Sequence, residues 1–220
     1  MIGRILPDRV ASAYLRDFTA APPPSPAEQA GLGRAGSART LEFAAGRHCA
    51  RTALAALGVA DGEVPRGADR APRWPAGTLG AITHCAGYGA AAVGTTARYA
   101  AIGIDAEPND TLPSLVAERI TNDSERRLLR SAPARGVHWD RLLFSAKESV
   151  YKAWAPLTGT WLGFLDVTLT IEPDRGRFHA AFHVPGPLVG GIRMTGFSGR
   201  FLALPGLLLT AIVIPREETP

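Results

Sequence analysis

Cysteine is scarce in this sequence: two thiols, Cys49 and Cys85, in 220 residues exclude a disulfide framework and fit a reducing compartment. No apolar run reaches the ~18 residues of a membrane-spanning helix. The apolar stretch at residues 1–6 is too short for a secretion signal and runs into Pro7, Asp8 and Arg9, so the expected location is the cytoplasm, with no membrane partner. There is also no dense basic tail and no basic run interleaved with aromatics. The 24 Lys and Arg are spread along the chain, and nucleic acid is not an expected partner. What remains is a mild excess of positive charge, net +4 with a pI near 9.5, which favours acidic partners such as a phosphorylated metabolite or an acidic protein. A hydrophobic content of 46% with 20% charged residues describes a soluble globular protein with one large or two small cores.

Residues 139–155 carry the densest chemistry. Leu142, Leu143, Ala146, Val150, Ala153 and Trp154 recur at three- and four-residue steps and Pro156 follows, which predicts an amphipathic helix over 139–155. Ser145 and Glu148 have capping-box spacing, but the apolar periodicity begins before Ser145, so no helix starts there. Glu148 and Lys152 lie four apart and share a face, from which a carboxylate and an ammonium address one ligand; a solvated ion pair is the alternative. Upstream, residues 100–107 form a short apolar run ending in Asp105-Ala106-Glu107-Pro108, which reads as a strand. Strand side chains alternate, so Asp105 and Glu107 project to one side and repel. A cation between them would relieve this, and hard oxygen donors without thiol partners suit magnesium better than zinc. A solvated strand edge is the alternative. The two His-Cys dipeptides, at 48–49 and 84–85, match no zinc-ligand spacing.

Other elements follow from periodicity and punctuation. A long helix is predicted over 38–57, with Ser37 as N-cap and Gly58 just past its end. Arg39, Arg47 and Arg51 share one of its faces, so either an anion relieves their repulsion or all three are solvated. Residues 20–26 and 61–78 read as extended connection and loop. Strands over 79–84, 90–95 and 100–107, joined by short turns, predict an antiparallel meander. A helix over 124–129, and strands over 167–172, 177–184, 192–202 and 207–214, complete the chain. The order, long helix then antiparallel strands, occurs twice. The expected fold is therefore α+β (α/β): two similar halves, residues 1–107 and 108–220, each a long helix on a small antiparallel sheet; a cleft between such halves is where ligands commonly bind.

Residues 103–107, Gly-Ile-Asp-Ala-Glu, followed by residues 144–153, Phe-Ser-Ala-Lys-Glu-Ser-Val-Tyr-Lys-Ala, resemble the signature pair of the surfactin-synthetase-activating 4'-phosphopantetheinyl transferases. Residues 46–51, Trp74-Pro75 and residues 82–88 are similar to the enterobactin-synthetase component D branch and its actinobacterial relatives, and the resemblance spans residues 39–214. It implies transfer of 4'-phosphopantetheine from coenzyme A, as substrate, to a serine of an acyl or peptidyl carrier protein. Adenosine 3',5'-bisphosphate would leave. It implies Mg2+, with Mn2+ a possible substitute, at Asp105, Glu107 and Glu148, with Glu148 or Glu107 as base and Lys152 on the phosphates. Arg39, Arg47, Arg70, Thr83, His84 and Lys147 are implied as further coenzyme A contacts. A covalent duplication already provides two halves, so the expected state is a monomer. A Mg-dependent phosphodiester hydrolase and a non-catalytic nucleotide-binding module are the competing readings. Turnover without a carrier protein, or binding without turnover, would mark each.

Overall fold

A computed structural model of the chain describes residues 1–30, 32, 36–60, 62–133 and 135–216; Asp61, with which the expected 61–78 loop begins, lies outside them. In chain order the elements are β1 (Ala11–Leu15), α1 (Pro26–Gln29), α2 (Ser37–Ala56), β2 (Thr78–Cys85), β3 (Tyr88–Thr95), β4 (Tyr99–Glu107), α3 (Ser114–Ile120), α4 (Asp123–Ser131) and α5 (Trp139–Thr158), then β5 (Val167–Glu172), β6 (Arg177–Phe182), β7 (Leu188–Val189), β8 (Ile192–Arg193), β9 (Gly196–Leu204) and β10 (Leu207–Pro215).

The strands form a three-stranded antiparallel sheet, β1-β3-β2, and a five-stranded one, β4-β10-β9-β6-β5, with β7 and β8 as a separate hairpin. Side-chain alternation sorts the layers. On β3, Ala91 and Val93 pack under α2 with Cys49, Ala50, Ala53 and Leu54. The alternate residues, Ala90 and Ala92, share a core with Ile102, Ile104 and Ala106 of β4 and with Leu207, Leu209 and Ala211 of β10. The opposite face of β10, through Leu208, Ile212 and Ile214, meets Leu142, Leu143, Val150 and Ala153 of α5. The order is thus helix, sheet, sheet, helix, an α+β architecture in which each long helix covers its own antiparallel sheet. Each fully buried Leu or Ile in these cores contributes about 1.5–3 kcal/mol.

Four expectations change in detail. The meander ends after β3: β4 hydrogen-bonds to β10, with Asp105 opposite Thr210, and only packs against β2. A long apolar strand near the C-terminus supplied the better partner. Ser37 is the first residue of α2 and Gly36 its cap, with no side-chain capping bond. Pro156 lies inside α5, which runs on to Thr158 and ends at the left-handed Gly159. In the last turn a proline forfeits one backbone hydrogen bond, too little to unwind a helix held by its apolar face. β1 and α3 are additional elements.

Gly103 fixes how closely α5 approaches β4. A Cβ there would lie 2.0 Å from the Ser149 carbonyl oxygen and 2.8 Å from the Ala153 nitrogen. Both atoms are helix backbone, so the helix would have to move. Gly103→Ala is therefore expected to lower stability by about 3 kcal/mol, the upper end for overpacking, measured by urea unfolding. An unchanged midpoint would mean the layers slide freely.

Candidate active site

The C-terminal end of β4 faces α5 with two acids. Asp105 is buried at 5% exposure, and Glu107 and Glu148 are half-buried. Asp105 is held from both oxygens. Oδ1 accepts from Thr83 Oγ1 at 3.1 Å and from Lys152 Nζ at 2.8 Å, and Oδ2 accepts from Ser145 Oγ at 2.8 Å. Lys152 also donates to the Ile104 carbonyl at 3.1 Å. Glu107 turns to Arg141, whose guanidinium reaches Glu107 Oε2 at 2.9 Å and the carbonyls of Asp110 and Thr111 at 3.2 and 2.9 Å.

Glu148 makes no hydrogen bond or ion pair among the described residues. Burial and then the nearby Asp105 charge push its carboxyl above the usual range, while Lys152 opposes them. Glu107 is likewise raised, by burial first and Asp105 second, against the pull of Arg141. Three carboxylates thus face two cations, Lys152 and Arg141. The ready-made cage expected of Asp105, Glu107 and Glu148 is not formed. No three His, Cys, Asp or Glu among the described residues lie close enough to hold a metal; Lys152 pairs with Asp105 and Arg141 with Glu107. The donor set still fits a hard divalent cation: it is all oxygen, and its three carboxylates face only two cationic side chains.

The two lysines of this helix are the chain's only lysines, and their environments differ. Lys147, expected to reach coenzyme A, does not face the acids. Its side chain is 2% exposed, and the ammonium donates to Glu125 at 2.9 Å and to the carbonyls of Ile120, Phe164 and Val167 at 2.6, 2.7 and 3.2 Å. Adjacent residues on a helix point about 100° apart, and the Lys147 ammonium turns to Glu125 of α4 while Glu148 stays on the side of Asp105. A cavity of about 240 Å³ opens instead beside Glu148, lined by Tyr151, Trp161, Leu162, Gly163, Phe164 and the Lys147 stem.

A basic region approaches from α2. His84, beyond Thr83 on β2, feels the charges of both Lys152 and Asp105. Its Nε2 lies 2.8 Å from Arg39 Nη1. A guanidinium only donates, so Nε2 accepts and the ring is neutral. Burial, the largest influence, holds its pKa low. Arg47 is 6% exposed, stacks over Phe43 at 4.4 Å and leaves its Nε without a partner. Burial lowers its pKa to about 10, so it stays charged at neutral pH. Arg51 is not available for an anion as the shared face suggested. It pairs with fully buried Glu28, which also caps α1 and accepts from the Val64 backbone. Arg70 sits on an exposed turn in a left-handed conformation, φ 69°. Thr83 is 3% exposed and spends its hydroxyl on Asp105 and the Ala106 amide, so it orders the acid rather than facing the cleft.

The structure thus gathers Asp105, Glu107, Glu148, Lys152 and His84, with Arg39 and Arg47 adjoining, and sets Lys147 and Arg51 apart. Sequence reasoning missed Arg141, Thr210 and the partners Glu28 and Glu125. The capping-box spacings of Ser25 with Glu28 and Asn122 with Glu125 were visible, but they mark helix starts and say nothing about distant arginines or lysines.

Comparison with known proteins gives the class. Residues 27–94 match the 4'-phosphopantetheinyl transferase N-terminal domain and residues 101–187 the 4'-phosphopantetheinyl transferase superfamily. The chain is similar to 4'-phosphopantetheinyl transferase Svp of Streptomyces mobaraensis, at 48% identity over 97% of this chain and 89% of Svp. It is 43% identical to Npt of Nocardia iowensis, over 96% of this chain and 99% of Npt, and 42% identical to PptT of Mycobacterium tuberculosis, over 97% and 98%. The protein belongs to the 4'-phosphopantetheinyl transferase superfamily and is a transferase of that kind. Among the described residues, no helix is long and apolar enough to cross a membrane.

Proposed function

We propose that this enzyme transfers the 4'-phosphopantetheine arm of coenzyme A to a serine hydroxyl of an acyl or peptidyl carrier protein. The observation that carries this reading is Glu148: a half-buried carboxyl without a partner, at the mouth of an apolar cavity and one helical turn from Lys152. The pantetheine arm enters the cavity against Tyr151, Trp161 and Phe164. The pyrophosphate then lies over the tip of β4, and Arg39, Arg47 and His84 take the phosphates of the nucleotide end. Arg70, on its exposed turn, approaches the nucleotide.

Asp105, Glu107 and Glu148 would hold a divalent cation, Mg2+ in the cell with Mn2+ as a substitute. When bound, it offsets the charge gathering on the pyrophosphate. Glu148 takes the proton of the attacking serine, directly or through a water, with Glu107 as the second candidate base. The serine oxygen bonds to the phosphorus that bears the pantetheine. The bond from that phosphorus to the bridging oxygen breaks, and adenosine 3',5'-bisphosphate leaves with the electron pair. Lys152 supplies positive charge to the phosphate oxygens. The site lies between the layers led by α2 and α5, the protein acts as a monomer, and no nucleic acid takes part.

Mass spectrometry of a carrier protein incubated with enzyme, coenzyme A and Mg2+ is expected to show the gain of one phosphopantetheine arm. In a parallel incubation without carrier, coenzyme A is expected to stay intact. Release of free phosphopantetheine there would mark a hydrolase instead.

A further inference from the structure

β10 reads Leu-Leu-Leu-Thr-Ala-Ile-Val-Ile-Pro, and Thr210 is its one polar side chain. It is fully buried and lies directly across the ladder from Asp105, on the face covered by α5. A hydroxyl in such a place is costly unless bonded. Its partner is Ser145, whose Oγ is 3.0 Å away and whose backbone carbonyl is also 3.0 Å away. Ser145 is itself fully buried. A helical serine ordinarily bonds back to its own helix, as Ser149 does to the Ala146 carbonyl at 2.8 Å. Ser145 instead aims its hydroxyl out of α5 at Asp105 Oδ2.

The proton directions follow from what each group is able to do. A carboxylate only accepts, so Ser145 gives its proton to Asp105. The Ser145 carbonyl also only accepts, so Thr210 donates to Ser145, at the carbonyl or at Oγ. Thr83 accepts from the Ala106 amide and therefore gives its own proton to the other Asp105 oxygen. Donors from β2 and α5 thus hold the two oxygens of one carboxylate, and β10 backs the α5 donor.

We infer that Thr210 is a positioning residue for the transfer reaction: through Ser145 it fixes the orientation in which Asp105 presents itself to the divalent cation. This rests on the reading that Asp105 binds that cation. Partners that orient a ligating carboxylate are worth about 10- to 100-fold in metal affinity. Thr210 acts one bond further away than Ser145, so Ser145→Ala is expected near the lower end of that range and Thr210→Val at roughly threefold. Valine has the shape of threonine, and Ser145 keeps its bond to Asp105, so Thr210→Val should lower thermal stability by no more than the loss of one buried hydrogen bond.

The test is Mn2+ binding to the intact enzyme, followed by electron paramagnetic resonance without coenzyme A, with thermal unfolding of the metal-free protein and turnover against Mg2+ concentration alongside. Expected are weaker Mn2+ binding and a raised Mg2+ requirement in Thr210→Val in a protein that is still fully folded, with both restored in Thr210→Ser. Asp105→Asn is the reference arm. If Asp105→Asn weakens Mn2+ binding while Thr210→Val binds as wild type, or if Thr210→Ser is as impaired as Thr210→Val, the positioning role is overturned and the cation reading stands. If Asp105→Asn binds Mn2+ as wild type does, the cation reading falls and the inference with it. Lost stability with unchanged Mn2+ affinity would reduce Thr210 to a backbone anchor.

Discussion

Glu148→Gln is expected to lower kcat for carrier-protein modification by about a thousandfold, the middle of the range for removing a general base, with unchanged thermal unfolding. The substitution keeps the side chain's size and its place at the cavity mouth and removes only the carboxylate. Since Glu148 has no hydrogen-bond or ion-pair partner among the described residues, nothing structural is broken. The amide also removes one of three negative charges that repel one another across β4 and α5, so the folded state should be no less stable. Turnover is measured by carrier-protein mass and folding by thermal unfolding. Wild-type turnover would remove Glu148 from the chemistry. Loss of folding would mean that it carries a contact the geometry does not contain.

The largest expected effect on stability comes from the buried ion pair between Lys147 of α5 and Glu125 of α4. Lys147→Met leaves the Glu125 carboxylate buried without its ammonium, and breaking one side of a buried pair costs about 3–5 kcal/mol. Glu125 is fully buried and also accepts from the backbone of Asn122 and Leu169, at 3.0 and 2.8 Å, so it cannot turn out to solvent. The ammonium's loss also orphans three carbonyls, of Ile120, Phe164 and Val167. Urea unfolding should therefore show a strongly lowered midpoint. At temperatures where Lys147→Met is still folded, its KM for coenzyme A should stay near wild type. Unchanged stability with a raised KM would return Lys147 to the phosphate-binding role that its place in the motif suggests.

The contrast between these two neighbours shows what was legible in the sequence and why. Periodicity is local, so α5, the alternation of Asp105 and Glu107 on β4, and the shared face of Glu148 and Lys152 follow from spacing alone. The same geometry separates Lys147 from Glu148 by slightly more than a right angle, a deduction open to the sequence but obscured by their adjacency in one motif. Partners distant along the chain were not legible. The pairing of β4 with β10 joins residues a hundred positions apart, and Asp105 meets Thr210 only through it. Arg51 was grouped with Arg39 and Arg47 by helical spacing, which is blind to Glu28 arriving from α1. Arg141 follows the same rule. Its hold on Glu107 depends on how the start of α5 sits against residues 107–111, and no repeat in the sequence encodes that.

The central claim is that the end of β4 and the middle of α5 act together on one cation and one pyrophosphate. Its most direct test is the anomalous scattering of Mn2+ in crystals grown with coenzyme A. The account predicts a peak in contact with Asp105, Glu148 and the pyrophosphate oxygens, with the pantetheine chain running past Tyr151 toward Trp161. A peak away from Asp105 and Glu148, or a pyrophosphate bound elsewhere than at the tip of β4, would contradict it.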